Sequence, residues 1–580
     1  MSASAIDVRG ESTPWIPSSD RVSAYQALSR PQFLIVYGLP LFVASLLQTG
    51  YAVYVGNHAL QLPLVYLLND PSLYPHDPFV VALRSYATWF WPAVAWGARI
   101  VPLGWLLLVL SLCERALLLY AAGALARTFS PRSELAVVAA MTIFASGLRP
   151  LVGDGTIVEK YTEQTGFAIP FLLLAIAAFY RRRPLATASW LAIGCNVNIL
   201  YGMYTLSYLT VVWLVDPECR RAWRPWIAAA GAFLLLSSPI IVLTALAFGQ
   251  GATDKALWYV AAQARLAHHL FPLRWSTPAF AMQVALMALV AILFMQKRSE
   301  LPRLSSHAWT WTAVAAGWLL YAFVAAYVLK IPALLVISAG RALDIWLCFA
   351  SVVLVSVIAS ATERSLGGDR LPWLFALGGS VLVWTPEISA SVVGLGLLAL
   401  AWEPVRQRVI RASTRRIAVA LVACVFLTGA LKGLHREAFG TPDENAFGGP
   451  QETVNIAEWA RRNTPPDAVF LIDPSWGAFR MLSRRPVFVT FQDGSAILWN
   501  RAFVNEWVRR LHAIGLEVAD GARIRVQRPW LTSTYDRLTD VDTRRLSEWA
   551  WVRYWVVPRE HASAYAAVYE RGSYKVLKIE

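Results

Sequence analysis

Cysteine and charged residues are scarce in this chain. It has five cysteines in 580 residues, all in or beside apolar segments: Cys113, Cys195, Cys219, Cys348 and Cys424. No CxxC pair occurs, and this spacing argues against a zinc site and against a disulfide framework. Charged residues make up only 15% of the chain and hydrophobic residues 57%, with a mean hydropathy of +0.47. This composition argues against a water-soluble protein.

Signatures of soluble enzymes and of nucleic-acid-binding proteins are also missing. The polar C-terminal region, 435–580, contains no GxSxG, P-loop or GxGxxG motif. The net charge is +15, from 52 Lys and Arg against 37 Asp and Glu. The excess lies largely in short loops rather than in a basic patch with interleaved aromatic residues, so no nucleic-acid partner is expected.

Long apolar segments between residues 33 and 433 are separated by loops whose charge alternates. Every second loop is rich in Arg and Lys: 127–132, 181–183, 220–224, 297–303, 364–370 and 406–416. The intervening loops carry acidic, histidine and amide residues instead. Because basic loops face the cytoplasm in helical membrane proteins, the alternation predicts a polytopic membrane protein with its N-terminus inside. Any chemistry would then lie on the external face.

The hydropathy pattern predicts a mainly α fold, a helical membrane bundle of about thirteen spans with a small external α/β domain. A cytoplasmic tail (1–32) would precede the transmembrane domain (33–434), and an odd number of crossings places residues 435–580 outside. The external loops would be 54–102, 149–166 and 249–277, with an interfacial helix over 77–100. The predicted spans are Phe33–Val53, Leu103–Ala126, Glu134–Leu148, Phe167–Tyr180, Leu185–Leu200, Met203–Val215, Trp226–Phe248, Pro278–Met295, Ala308–Leu329, Ala339–Ala361, Leu371–Trp384, Ile388–Ala401 and Ile417–Gly433.

Residues 435–580 show alternating strand and helix patterns, which favour a small α/β unit. Helices are predicted over 452–462 and 497–512, with a turn and helix over 475–483. The predicted strands are Ala468–Ile472, Val487–Phe491, Trp551–Val557 and Tyr574–Ile579. Asp473, Asp493 and His512 are weaker site candidates, since Asp473 and Asp493 follow strand-like runs, where aspartate commonly caps a turn.

The first external segment combines two carboxylates, Asp70 and Asp77, with His76 and three prolines. Proline restricts the backbone and predicts a semi-rigid loop just outside the membrane. Such a loop can hold a carboxylate as a general base or as a ligand of a divalent ion. The alternative is structural, because Asp-Pro commonly opens a turn. The spacing alone does not decide between the two.

Two further external loops carry candidate binding residues. Glu159 and Glu163 would share one helical face and could form a structural turn or line a substrate cleft. Lys160 lies between them and is a candidate phosphate ligand. In the third loop, His268 is a candidate substrate-binding residue, although a surface or helix-end histidine is the default interpretation.

A few charged or amide residues fall within predicted spans. Glu114 and Arg115 are adjacent in the second span, and Arg341 and Asp344 open the tenth. Intramembrane charge is costly, so it indicates either a functional cavity or an internal ion pair. Arg341, at the outer boundary, would suit a lipid phosphate because guanidinium binds phosphate in a bidentate manner.

The layout resembles the GT-C class of membrane glycosyltransferases, and in particular a group of uncharacterised bacterial integral membrane proteins. One span precedes a long external loop that bears Asp70 and Asp77, an interfacial helix and many spans follow, and an external α/β domain ends the chain. The stretches WARRNTPPDAVF (459–470) and FRMLSRRPVFV (479–489) carry the narrower likeness. The resemblance implies a catalytic base or metal ligand at Asp70, where Asn69-Asp70 replaces the family's acidic pair. It implies that Mg or Mn could be bound there.

The functional hypothesis is transfer of a sugar from a polyprenyl-phosphate donor to an unknown acceptor, outside a bacterial inner membrane. Asp70 would deprotonate the acceptor or hold the cation, and Asp77 and His76 would assist. Lys160 and Arg341 would neutralise the donor phosphate, and the C-terminal domain would help to choose the acceptor. Two alternatives remain: a catalytically inactive envelope-assembly scaffold, or a transporter or lipid-handling protein whose path is lined by Glu114, Arg115, Asn196 and Asn198.

Overall fold

The computed structural model describes residues 31–153, 155, 157–248, 253–296, 298, 301–364, 414–439, 452–518 and 528–579. The helices before residue 300 are α1 (Pro31–Thr49), α2 (His58–Asn69), α3 (Pro78–Leu83), α4 (Phe90–Gly97), α5 (Leu103–Phe129), α6 (Glu134–Ala145), α7 (Gln164–Tyr180), α8 (Pro184–Val197), α9 (Ile199–Val215), α10 (Pro217–Arg221), α11 (Trp223–Phe248), α12 (Lys255–Arg265), α13 (Ala267–Leu270) and α14 (Thr277–Gln296).

The remaining helices complete the bundle and the C-terminal region. They are α15 (Pro302–Phe323, continued as a π-helix over Val324–Leu329), α16 (Pro332–Leu335), α17 (Ala342–Arg364), α18 (Thr414–Phe439), α19 (Glu452–Asn463), α20 (Phe479–Ser483), α21 (Phe503–Ala513), α22 (Arg528–Tyr535) and α23 (Asp540–Ala550). The strands are β1 (Val469–Leu471), β2 (Val552–Pro558), β3 (Ala566–Arg571) and β4 (Tyr574–Lys578).

Each predicted span within the described residues coincides with a helix, and the chain is a multi-pass membrane protein. Among the described residues, 6 helices are long and apolar enough to cross a membrane. The predicted spans Leu371–Trp384 and Ile388–Ala401 lie outside the described residues. The total of thirteen crossings therefore stays a prediction.

Small side chains hold the centre of the bundle together. Helix α5 packs against α6 and α7, and its small residues Ala121, Ala122 and Gly123 are all buried. Small residues let helix backbones approach closely, and close van der Waals packing is the main attraction between helices in lipid. The mixed apolar face of α5 thus fixes the position of the loops at its ends.

The first external segment is more helical than its sequence suggests. Residues predicted as a semi-rigid loop form α2 despite Pro63 in its interior. Most of α2 is buried, and tertiary packing of this kind overrides a weak local propensity. The predicted interfacial helix over 77–100 is divided into two short helices, α3 and α4.

The C-terminal region contains one sheet with strand order β1-β2-β4-β3. Strands β1 and β2 pair in parallel, and the other neighbours pair antiparallel. The predicted strand at 487–491 is reduced to a single bridge between Phe470 and Val487. Strand β3 was not predicted, because most of its residues are exposed on an edge and show no apolar alternation.

One apolar cluster joins three parts of the chain that are distant in sequence. Trp91 from the first external segment, Trp258 from α12 and Trp507 from α21 are buried in the same cluster. The Trp258 indole Nε1 also donates to the Ile497 carbonyl oxygen at 3.3 Å. The first and third predicted external loops and the C-terminal region therefore lie at the same end of the bundle.

Other polar residues join the predicted cytoplasmic loops. The buried Asp216 carboxylate lies 2.5 Å from Nη2 of Arg182 and 3.0 Å from Nη2 of Arg303. Nε2 of His307 lies 3.1 Å from the same carboxylate. Basic residues from two predicted cytoplasmic loops thus contact one acidic residue, so these loops lie at the same end of the bundle.

Candidate active site

A cavity of about 410 Å³ lies between the helical bundle and the C-terminal region. The bundle contributes the first external segment, the start of α7, and helices α9 and α11 to its walls. The α12–α13 region and the turn before α17 form a further part. The C-terminal region contributes the segment Phe491–Leu498 and Trp499. Four predicted site residues line it: Glu159, Glu163, His268 and Arg341. All three predicted external loops meet there.

Glu163 offers a carboxylate oxygen to this cavity. It precedes α7 in an extended conformation and its side chain is buried. Asn57 Nδ2 donates to Glu163 Oε1 at 2.8 Å, which orients the carboxylate. Oε2 is buried and has no hydrogen-bond partner among the described residues. Burying such an atom is costly unless a ligand or water completes its hydrogen bonds.

Arg341 forms a cationic part of the lining. Its Nη2 lies 3.1 Å from both ring nitrogens of His269, and His269 Nδ1 lies 3.0 Å from the Gly153 carbonyl oxygen. Burial and then the charge of Arg341 hold the pKa of His269 well below its ordinary value. A neutral ring that donates from Nδ1 to Gly153 can accept from Arg341 at Nε2.

Close backbone contact positions Arg341. A Cβ atom on Gly153 would lie 2.8 Å from the carbonyl carbon of Gly340, and Gly153 has φ of +74°. Only glycine fits both the contact and the left-handed backbone without strain. The second external loop can therefore press against the turn that carries Arg341, whose Nε is buried without a partner among the described residues.

Aromatic and amide side chains form another part of the cavity. The Tyr86 and Trp499 rings have centroids 4.7 Å apart and an interplanar angle of 47°. Gln164 Nε2 donates to the Tyr86 hydroxyl at 2.5 Å. Tyr86 belongs to the first external segment and Trp499 to the C-terminal region, so the two regions meet at this wall.

Several cavity residues were not chosen from the sequence. Arg265, His269 and Asn57 lie in segments recognised as external and polar, but nothing in their spacing distinguishes them. Tyr86, Gln164 and Trp499 had no signal beyond residue type. Their common feature is three-dimensional, because residues more than 400 positions apart in sequence line the same space.

Asp70 lies outside this cavity lining. It is exposed at the end of α2, and its Oδ1 accepts from the Ser72 backbone N at 3.1 Å and hydroxyl at 2.6 Å. These hydrogen bonds lower the pKa of Asp70. The arrangement is that of an Asp-Pro turn. Asp70 therefore remains a candidate base by resemblance alone.

His76 and Lys160 also lie outside the cavity lining. The exposed His76 ring packs on Trp551 with centroids 4.3 Å apart. The Lys160 carbonyl oxygen accepts from Ala52 N at 2.7 Å and so ties the end of the first predicted span to the second external loop. The lining residues nearest to Lys160 in sequence are Glu159 and Tyr161.

Asp77 is a fully buried structural residue. Its Oδ1 accepts from the backbone N of Phe79 and Val80 and caps α3. Its Oδ2 lies 2.7 Å from Nε of Arg480, and the same guanidinium makes two bonds to Asp493. Burial lowers the pKa of Arg480, but the Asp493 and Asp77 carboxylates raise it more strongly, and the net shift is upward.

The polar residues of the spans make internal contacts. Arg115 donates to Ser45 Oγ at 3.1 Å and to the Glu159 carbonyl oxygen. Asp344 accepts from the Tyr201 hydroxyl at 2.5 Å. Asn196 donates to two backbone carbonyls, and Asn198 caps α9 and donates to Thr165. These contacts give Arg115, Asp344 and Asn196 structural roles, whereas Asn198 also lines the cavity.

No group of three or more His, Cys, Asp or Glu side chains in the described residues could hold a metal ion. The prediction of Mg or Mn at Asp70 depends on one exposed carboxylate that is already bonded to Ser72. The residues present do not match the several oxygen ligands that such cations prefer.

A family model described as "Domain of unknown function (DUF6798)" matches residues 451–514. No curated protein matches the chain. ArnT from Cupriavidus metallidurans in the apo state is 14% identical with a TM-score of 0.43, over 96% of this chain and 98% of that one.

Two more solved structures are similar in outline. ArnT from Cupriavidus metallidurans bound to undecaprenyl phosphate is 14% identical with a TM-score of 0.38, over 94% of this chain and 97% of that one. The archaeal oligosaccharyltransferase AglB from Archaeoglobus fulgidus, in complex with an inhibitory peptide and a dolichol-phosphate, is 11% identical with a TM-score of 0.42, over 92% and 70%.

Proposed function

We propose that this chain is a membrane glycosyltransferase that moves a sugar from a polyprenyl-phosphate donor to an acceptor hydroxyl. The observation that carries the proposal is one cavity lined by Glu163, Arg265 and Arg341, in which Glu163 Oε2 is buried without a hydrogen-bond partner among the described residues. A carboxylate can take the proton of the attacking hydroxyl. Guanidinium groups can bind the phosphate and stabilise the charge that grows on it.

Glu163 has the geometry expected of a general base. Asn57 holds one carboxylate oxygen, and the other is left to receive a proton. As the acceptor oxygen attacks the anomeric carbon, its proton passes to Glu163 and the bond from that carbon to the phosphate oxygen breaks. The lipid phosphate leaves with the electron pair, and Glu163 then returns its proton to solvent.

Arg341 is suited to the leaving phosphate. His269 and the Gly153 loop fix its guanidinium from one side, and its Nε is available for an anionic ligand. A donor that is already oriented requires little reorganisation during the reaction, and preorganised charge is often the largest catalytic contribution. Arg265 adds a second guanidinium to the same cavity.

The membrane helices provide a route for the lipid chain. Leu200, Thr244 and Ala247 from α9 and α11 line the cavity. The same end of α11 exposes large apolar side chains, including Val242, Leu243 and Leu246. A lipid that lies along this helix can place its phosphate in the cavity while its hydrocarbon chain stays in the bilayer. We propose that this cavity lies on the periplasmic face of a bacterial inner membrane, because the basic loops 181–183 and 220–224 follow the ends of α7 and α9 that are far from it.

A pair of carboxylate variants tests the assignment of the base. Glu163→Gln keeps an oxygen that accepts from Asn57 but cannot take a proton. We expect transfer of labelled sugar from a polyprenyl-phosphate donor pool to envelope acceptors to fall by about a hundredfold or more. Asp70→Asn serves as the matched control and should retain transfer, because Asp70 bonds only locally to Ser72 in a turn. The assay uses membrane vesicles that contain the full chain.

If Asp70→Asn loses transfer and Glu163→Gln retains it, the base is Asp70, as the resemblance implies. If Glu163→Gln, Asp70→Asn and Arg341→Gln all retain wild-type transfer, the assignment of the base and of the phosphate ligand is wrong, and if the purified wild-type chain shows no transfer, the proposed function is refuted. Undecaprenyl phosphate binding, followed by native mass spectrometry, separates a loss of chemistry from a loss of structure. Glu163→Gln should bind this lipid like the wild type.

A further inference from the structure

We infer that Tyr86 and Trp499 form a binding subsite for the carbohydrate ring of the acceptor, so that the acceptor is itself a glycan or glycolipid. The assignment of this subsite to the acceptor rests on the proposed function, whereas the subsite itself is defined by the geometry of the two rings. Both rings line the cavity, at the boundary between the first external segment and the C-terminal region.

The two rings form an angled platform with polar atoms at its rim. Their planes are 47° apart, so they do not stack flat on each other. The Trp499 indole Nε1 and Gln164 Oε1 are buried without hydrogen-bond partners among the described residues. One atom is a donor and the other an acceptor. Gln164 is fixed beside the platform through its bond to the Tyr86 hydroxyl.

A pyranose ring has the complementary chemistry. Its C–H groups present an apolar, weakly positive face that packs on the negative face of an aromatic ring. Its hydroxyl groups can both donate and accept, and so can complete the hydrogen bonds of Trp499 and Gln164. A purely apolar ligand would leave these two atoms unsatisfied, and a phosphate would gain little from the aromatic faces.

The position of the two rings in the cavity favours binding of the acceptor there rather than of the donor sugar. The route proposed for the lipid enters beside Leu200 and Ala247, on the membrane helices. The platform instead includes Trp499 from the C-terminal region, which also contributes Ser495 and Leu498 to the cavity. Gln164 directly follows Glu163, the proposed base, so a sugar held on the platform can present a hydroxyl to that carboxylate.

The segment that carries Trp499 is firmly held. Thr490 and Asp493 form a reciprocal capping box at its start. Arg480 binds both oxygens of Asp493, at 2.7 Å and 2.9 Å, and Trp258 donates to Ile497 near its end. Trp499 is therefore presented to the cavity by a fixed segment, as a specificity-determining residue requires.

Direct binding of simple glycosides tests the subsite without requiring transfer. The probes are methyl glucoside, methyl galactoside, methyl mannoside and methyl N-acetylglucosaminide, added to the full chain in detergent and followed by saturation-transfer-difference NMR. We expect ring-proton signals for at least one probe. Trp499→Leu should weaken its binding by about tenfold, since the aromatic face is lost. Trp499→Phe keeps the face and should weaken binding less.

Trp96→Leu is the matched control, because Trp96 is an exposed tryptophan of the first external segment that does not line the cavity. The inference is overturned if no probe binds, or if Trp499→Leu binds as well as the wild type while undecaprenyl phosphate binding shows that both are folded. Glycoside binding by Glu163→Gln supports the subsite. Binding that depends on Trp499 in a protein without transfer activity would refute the proposed function and keep the carbohydrate site.

Discussion

His58 is an ionisable side chain that is kept neutral by burial between the first and second external loops. Its Nδ1 accepts from the Tyr54 backbone N at 3.1 Å, and its Nε2 lies 2.9 Å from the Thr162 carbonyl oxygen. Burial lowers the pKa of His58 to about 4, against a smaller upward effect of the bond to Thr162. The ring thus links the two external segments that carry Asn57 and Glu163.

This shift predicts a specific loss of stability in acid. Above pH 6.5 the ring is neutral in the folded and the unfolded chain, and the full stability is present. As the pH falls towards 4 the unfolded chain binds the proton first, which destabilises the fold by up to about 3 kcal/mol. Thermal melting at pH 7 and pH 4.5 should therefore show a smaller acid-induced decrease for His58→Asn than for the wild type. Equal decreases in the two proteins would contradict the assignment.

Residue identity alone could not separate a candidate base from a turn residue. Asp70 and Glu163 are both acidic residues of predicted external loops, and the resemblance favoured Asp70. The structure places Asp70 in a local turn with Ser72 and places Glu163 in the cavity beside Asn57. The difference depends on contacts between segments about 100 residues apart, and no local pattern encodes them. The outcome for Asp70 awaits the variants described above.

At the level of elements, the apolar helices were predictable because length and hydropathy determine them. The predicted Leu103–Ala126 corresponds to α5, and the predicted Pro278–Met295 corresponds to α14. Helix α2 and strand β3 were missed for opposite reasons. Burial stabilises α2 against its internal proline, and β3 is an edge strand whose main-chain pairing with β4 does not require apolar alternation.

The close contact between Gly153 and Gly340 predicts how a substitution would displace the turn that carries Arg341. In Gly153→Ala the new methyl group would lie 2.8 Å from a backbone carbon, at a φ of +74°. The turn must move, and Arg341 would move with it. We expect weaker undecaprenyl phosphate binding, measured by native mass spectrometry. Gly231→Ala is the control, because a Cβ at that position meets nothing within 4 Å. Unchanged binding in Gly153→Ala would show that the contact does not position Arg341.

At the level of the whole molecule, one buried apolar cluster contains residues of the first external segment, α12 and the C-terminal region. The sequence had predicted the membrane side of these regions only from loop charge and the number of spans. Trp258 and Ile497 are in contact, and both belong to the cluster that includes α2. Hydropathy could predict the spans but not this shared packing, because the cluster is built from three separate parts of the chain. The cluster requires the first and third loops and the C-terminal region to be on the same side.

Cysteine labelling from one side of the membrane tests this arrangement. In a background without the five native cysteines, Ser72→Cys and Val541→Cys should react with a membrane-impermeant maleimide from the same side. Both positions are exposed, and they lie in the first external segment and the C-terminal region. Arg220→Cys, in a predicted cytoplasmic loop, should react only from the other side. Opposite labelling of positions 72 and 541 would contradict the fold.

The buried bridge from Asp77 through Arg480 to Asp493 has a consequence for biosynthesis. Asp77 and Arg480 are 403 residues apart, yet each is almost completely enclosed in the finished protein. A ribosome releases the aspartate long before its cationic partner exists. The early segment must therefore remain hydrated while most of the helices insert. The cavity is complete only when the last fifth of the polypeptide has been made, because Ser495, Leu498 and Trp499 form part of its wall.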